Sequence, residues 1–392
     1  MSGWLTVFNK EVKENFRDRR VIITSLIIGP LFGPLLLIGM FNLMADKTSE
    51  RMEEALELPV AGQQYAPNLI TYLVQQGVEI KAAPANPEAA VKAKDEDVVL
   101  RIPADFAERW SEGQRAIVEV IVDESRNHVG VTSQRLRRLL HAYSSQIGIS
   151  RLQLRGVSPQ LLTPIMVKTI DQSTLTSRAA RLLSFLPYIL MIGAFVGGMH
   201  LAIDATAGEK ERRSLEPLLI NPVPRWQIMA GKLMATSFFA ALSVFLTVVA
   251  FRLLVPFLPA NLLGTSVSIT NPMMLGILVV IIPMAILASA FLTILASFAK
   301  SFREANSYMG LVTIIPMLPS FYLMINPVKA ETWMMAVPLL SQNVLIHELI
   351  RGEQVSLSWY LLAGGTTLGL GLVLAVIAAT LYNRPRVIFS GE

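Results

Sequence analysis

The chain has 392 residues, of which 53% are hydrophobic and only 16% charged, and its mean hydropathy is +0.50. A soluble domain of this length does not carry so apolar a composition, so the class is membrane protein. The net charge of +5 and pI of about 9.4 come from basic residues beside apolar runs, a topological pattern and not a nucleic-acid face. With no cysteine there is no disulfide framework, thiol catalysis or cysteine-ligated metal.

Residues 1–20 place Trp4, Phe8, Val12 and Phe16 at i, i+4 spacing among charged residues. That stripe predicts a cytoplasmic helix lying in the membrane interface, its aromatic face among lipid headgroups. The plainer alternative is a helix packed on a partner. Residues 21–45 form an uncharged apolar run long enough to cross a bilayer core of about 30 Å, and are the first predicted transmembrane helix. Gly29, Pro30, Gly33 and Pro34 within it predict a kink or a close helix contact. Residues 46–180 turn charged and proline-containing. Val98–Pro103 and Ala116–Val122 read as strands around a short helix, Ala104–Trp110, in a β-α-β rhythm. Val129–Leu154 reads as a long helix with Leu136, Leu139, Leu140, Tyr143 and Ile147 on one face. The expectation is a small extracytoplasmic α/β domain inserted between the first and second spans.

Residues 181–392 hold five more predicted spans: Leu182–Ile203, Leu233–Val255, Pro272–Ala299, Tyr308–Ile325 and Leu357–Tyr382. The fold class is therefore an α-helical integral membrane protein with six transmembrane helices. Pro283, Pro316 and Pro319 predict kinks. Residues 329–354 form an outer hairpin whose halves, Glu331–Val337 and Ser341–Arg351, are too short to cross. Lysine and arginine collect in the short loops on one face, which places both termini in the cytoplasm; the expected location is the cytoplasmic (inner) membrane.

Catalytic chemistry is poorly supported. The Gly231-Lys232 pair is followed by Leu233 and lacks the glycine that a phosphate-binding loop needs upstream. His347-Glu348-Leu349-Ile350-Arg351 is half of a zinc-protease motif, with arginine where the second histidine belongs. His200 and Asp204 share a helix face and are candidates for an ion or substrate path, the plainer reading being an interfacial pair solvated by headgroups. Gly193 and Gly197 have the spacing of a close helix contact, within this chain or between two.

The most informative stretch is the loop 204–232. Glu209 and Arg213 stand at i, i+4 in the favoured order, Pro217 limits a helix, and Leu215, Leu218 and Leu219 supply apolar knobs. Asn221-Pro222-Val223-Pro224 then breaks the chain before it enters the next span. A short, stiff helix with charged and leucine faces, tied to two membrane helices, suits docking by a partner that pushes on it. A solvated loop obeying the topological charge rule is the plainer reading.

The run Gly208-Glu209-Lys210-Glu211-Arg212-Arg213-Ser214-Leu215-Glu216-Pro217-Leu218-Leu219, with Asn221 to Trp226 and Gly231-Lys232 after it, resembles the signature of type-2 ABC transporter permeases, particularly the NatB-like sodium-extrusion branch. The resemblance implies an exporter half without its own ATP site, ATP and Mg being held by cytoplasmic ABC ATPase subunits. It implies a second permease copy or sister permease, contact with membrane lipid, and Glu209 to Leu219 as the coupling helix. The branch name implies sodium ion as cargo, and other relatives imply drugs, peptides or lipids. Two other classes compete: a membrane sensor or assembly protein with an outer ligand-binding domain, and an intramembrane enzyme, for which no convincing nucleophile or metal set is present.

Overall fold

The computed structural model describes residues 3–53, 56–123, 125, 129–158, 160, 170, 183–214, 222–258, 269–325 and 329–382. Chain order begins with α1 (Gly3–Arg17) and with α2, which starts at Arg19, is π-helical over Ile22–Ile28 and α-helical over Gly29–Glu53. There follow β1 (Leu56–Ala61), α3 (Pro67–Gln75), β2 (Val78–Ala82), α4 (Pro87–Ala93), β3 (Val98–Arg101), α5 (Phe106–Ser111), β4 (Glu119–Val122) and α6 (Val129–Leu154). The remainder is helical: α7 (Leu183–Glu211), α8 (Arg225–Leu254), α9 (Asn271–Phe298), α10 (Phe302–Val312), α11 (Met317–Ile325), α12 (Leu340–Arg351) and α13 (Leu357–Leu381). The chain divides into two compact units, Asp46–Asp171 and the rest.

The unit Asp46–Asp171 is built on a four-stranded sheet of order β2-β1-β3-β4. β1 runs parallel to β2 and β3, whereas β3 and β4 are antiparallel, with Leu100 opposite Val120. This corrects the β-α-β reading of that pair: a six-residue α5 rises only about 9 Å, too little to carry the chain back for a parallel return. Leu58, Leu73, Leu100, Val129 and Leu136 are fully buried against one another's elements. An aromatic ladder docks α6: Tyr143 lies 5.0 Å from Tyr72 and 5.9 Å from Trp110, and Trp110 stacks on Phe106 at 5.5 Å. Arg151 closes the ladder, its guanidinium 4.4 Å over the Trp110 ring and donating to the Trp110 carbonyl at 2.9 Å.

In the other unit, five helices among the described residues are long and apolar enough to cross a membrane: Arg19–Lys47, Leu183–Glu211, Arg225–Phe257, Asn271–Phe298 and Leu357–Leu381. The expected span Tyr308–Ile325 is instead two helices, α10 and α11, of 11 and 9 residues. Pro316 and Pro319 have no N–H to give to Val312 and Ile315. The backbone therefore tightens to bonds three residues apart, Ile315 to Val312 at 3.0 Å and Leu318 to Ile315 at 3.2 Å. In the stretch before α12, Thr332–Ala336 is a 3-10 turn.

Glycine sets where these helices touch. A methyl group at Gly197 would lie 2.4 Å from Ser243 Cβ and 3.2 Å from Ala240 Cα, so the glycine spacing in α7 serves a seam with α8 of the same chain. Gly231 does the same for α1, since an added Cβ would stand 2.6 Å from the Trp4 carbonyl oxygen and 2.7 Å from Val7 Cβ. The aromatic stripe of α1 meets protein: Phe8 packs edge-on to Phe238 at 6.1 Å, and Phe16 lies 5.1 Å from Phe239. Its buried residues are polar, Glu11 and Asn15. Buried threonines in α8 and α9 bond back within their own helices, Thr236 donating to the Lys232 carbonyl at 2.9 Å and Thr293 to that of Ser289 at 2.7 Å, whereas the buried Ser289 hydroxyl has no partner among the described residues.

Two outcomes follow. Leu100→Ala removes a fully buried side chain from the centre of the sheet and is expected to cost about 2–5 kcal/mol, read as a lowered denaturation midpoint of the sheet's amides in hydrogen exchange. Gly231→Leu is expected to abolish oxidative crosslinking between Phe8→Cys and Phe238→Cys, an assay made clean by the absence of native cysteine. Gly39→Ala, where the added methyl meets nothing within 4 Å, leaves that crosslink intact.

Candidate functional site

From Asp204 to Glu211 the charged stretch continues α7. Ala205, Ala207 and Gly208 are small and buried, and Thr206 folds its hydroxyl back onto the Ala202 carbonyl at 2.5 Å. The helix passes through a π-helical Asp204–Gly208 to Glu211. It ends on a left-handed residue, Arg213 at φ 55°, with Ser214 N–H bonded to the Glu209 carbonyl and Arg213 N–H to that of Lys210, each at 3.0 Å. That pair of bonds is the Schellman arrangement, here with arginine in the place glycine usually takes.

The expected Glu209–Arg213 pair does not form, because Glu209 faces inward. Its carboxylate receives the ammonium of Lys232, which is 1% exposed. An ammonium has three donors. Lys232 spends them on Glu209, on the Ala205 carbonyl at 2.7 Å and on the Tyr382 hydroxyl at 3.3 Å. Lys10 of α1 stands 3.8 Å from the other oxygen of Glu209, 3.4 Å from Glu11 and 3.5 Å from Glu14. Glu11 is 3% exposed, and burial lifts its carboxyl above the ordinary range against the pull of Lys232 and Lys10. Lys10 and Lys232 thus face the buried Glu11 and Glu209, with the exposed Glu14 at the rim of the cluster.

The neighbours of Glu209 tie down two more helix ends. Lys210 donates to the Ser297 carbonyl at 2.5 Å, placing a cation at the C-terminus of α9. Glu211 accepts the Phe302 N–H at 2.7 Å, placing an anion at the N-terminus of α10. Arg212 pairs with Asp204 at 2.7 Å. Asp204 is therefore turned toward Arg212 rather than His200, whose ring meets Phe302 edge-on at 5.7 Å and whose buried Nδ1 has no hydrogen-bond partner. The structure does not bring His200 and Asp204 together as one ligand pair.

Of the other residues expected in this segment, Ser214 bonds back to the Glu209 carbonyl, and Leu215, Glu216, Pro217, Leu218 and Leu219 lie outside the described residues. The sequence reading missed Lys10, Glu11, Lys232 and Tyr382. One signal was present: Lys232 interrupts the apolar run Ile228 to Leu233 about two turns inside its helix, where a topological charge has no reason to sit.

Residues 20–378 match the family described as ABC-2 family transporter protein. The ABC transporter permease protein NatB of Bacillus subtilis (strain 168) is 27% identical over 353 residues, covering 88% of this chain and 89% of that protein. The match runs through nearly all of the five long apolar helices and through the charged end of α7. The chain belongs to the ABC-2 transporter family, as a membrane-spanning permease subunit of an ABC transporter.

Proposed function

We propose that this permease is the membrane half of an exporter driven by separate cytoplasmic ABC ATPase subunits, which hold ATP and Mg. Two permease chains, identical or sister, complete the assembly within the cytoplasmic membrane. α10 and α11 cross together as a broken sixth span, which makes the crossings even and returns both termini to the cytoplasm. The segment Glu209 to Leu219 is the part that the ATPase pushes, and the unit Asp46–Asp171 stands outside.

The observation that carries this reading is the number of elements bonded to so short a segment. Between Asp204 and Ser214, side chains reach α1 through Lys10, α8 through Lys232, the end of α9 through Lys210 and the start of α10 through Glu211. A displacement applied there is passed to four helices at once. A solvated loop that only obeyed the topological charge rule would not bury Glu209 or spend its charges on helix ends. Possible cargoes by family analogy are sodium ion, a drug, a peptide or a lipid, and the charged segment favours none of them.

Lys232→Met alone strands the buried carboxylates and is expected to destabilise the detergent-purified chain by about 3–5 kcal/mol. Glu209→Gln combined with Lys232→Met removes one charge of each sign and recovers most of that loss. The double variant nevertheless lacks the tether, so permease-stimulated ATP hydrolysis in proteoliposomes is expected to fall by about tenfold, within the usual range of a coupling free energy. Wild-type stimulation by a stable double variant would contradict the proposal.

A further inference from the structure

A cavity of about 580 Å³ lies between the first turns of α7, α11, Lys329 with Ala330, and α12. It falls within the size range of sites for drug-sized molecules. Its walls are aromatic at Phe185, Tyr188 and Phe321, and its charged groups are Lys329, Glu348 and Arg351. None of these belongs to the charged segment of α7.

The charges do not cancel. Lys329 and Arg351 against Glu348 leave one positive charge. Glu348 and Arg351 approach to 3.6 Å, beyond a proper hydrogen bond, and the Arg351 side chain is 54% exposed, so its fork of donors stays available. His347, on the same face of α12 as Arg351, is pushed down to about 4 by burial and by that guanidinium, and is a neutral imidazole at pH 7. Ser320, also in the wall, accepts the Asn343 amide at 2.5 Å and keeps its own O–H to donate. Asn343 is fully buried, and its Oδ1 has no hydrogen-bond partner. A greasy wall beside a net cation, with hydroxyl and guanidinium donors, is the chemistry of a site for a molecule with an apolar body and an anionic head.

We propose that this cavity binds an amphipathic organic anion, its head group held by Arg351 and Lys329 and its apolar body lying against Phe185, Tyr188 and Phe321. A metal cation or an organic cation is disfavoured there by the two basic groups. That the anion is cargo rests on the exporter reading, but binding needs neither nucleotide nor ATPase, so the failure of one is a separate result from the failure of the other.

The test uses the full chain in phosphatidylcholine nanodiscs with a photoreactive diazirine fatty acid. Crosslinks are expected on peptides containing Tyr188 or Phe321, displaced by dodecanoate and not by dodecyltrimethylammonium. Displacement by added phosphatidylglycerol as well would uphold the anion site and name the bilayer as its source. Arg351→Glu turns the net charge of the site from positive to negative, and is expected to weaken displacement by dodecanoate about tenfold while making dodecyltrimethylammonium effective. A collapsed fold would not invert the preference. Val344→Phe, which fills the cavity, lowers labelling whatever the head group. Labelling spread along the exposed apolar side chains of α13 and indifferent to Arg351→Glu would overturn the proposal, as would better displacement by the cation in the wild type.

Discussion

The ammonium of Lys232 is the constraint on which the rest of the helical unit depends. A buried lysine is tolerated only when its charge is matched and each N–H has an acceptor. Here the three acceptors come from three places: the Ala205 carbonyl exposed by the π-helical turn, the Glu209 carboxylate one turn later, and the Tyr382 hydroxyl just past α13. The π-helical turn and the ion pair belong to one solution. Widening α7 at Asp204–Gly208 frees a carbonyl for Lys232 and swings Glu209 inward. Lys10 and Glu11 then balance the cluster, which is why α1 lies against α8 with an acidic residue buried and Gly231 beneath it. Such a pair adds little net stability over an apolar core, yet losing either partner is costly. It fixes register more than it strengthens.

The same eleven residues, Asp204 to Ser214, also settle the ends of α9 and α10. Lys210 faces the negative end of one helix dipole and Glu211 the positive end of the other. Beyond α10 the character changes. Pro316 and Pro319 leave α11 joined to α10 by 3-10 turns only, and α11 with α12 borders the anion cavity. The unit thus combines a rigid charged end, where several helices share one network, with a broken helix beside the cavity. In the exporter reading, the first receives the push and the second gives way.

The amino-acid sequence made the long helices legible because hydropathy depends only on local composition, and α8, α9 and α13 fall close to their expected spans. It failed where the deciding contact is distant. Glu209 and Lys232 are 23 residues apart and Lys232 and Tyr382 are 150 apart, so local charge counting assigned Glu209 to water and Lys232 to topology. The broken span was visible as two prolines but was read as a kink, since the switch to bonds three residues apart is a property of the backbone ladder. Among the strands, β3 and β4 announce themselves by runs of valine, leucine and isoleucine. β1 hides behind Pro59, which is tolerated in an interior strand because the ladder to β3 begins one residue later, at Val60. β2, Val-Glu-Ile-Lys-Ala, is short and carries two charges in five residues. The charged segment itself was found in the sequence, but the inward turn of Glu209 was not: that residue faces its own helices while Arg212 and Arg213 stay exposed.

The central claim is that the end of α7 and α1 move as one body when the transporter works. The direct measurement is a pair of spin-label distances in the assembled permease–ATPase complex, with and without trapped nucleotide: Lys13→Cys to Ser214→Cys within the charged end, and Ser214→Cys to Gln354→Cys across the helical unit. The account predicts that the first distance holds while the second changes by several ångströms. If the first changes as much as the second, the ion cluster is not a tether and the segment acts on the spans by another route.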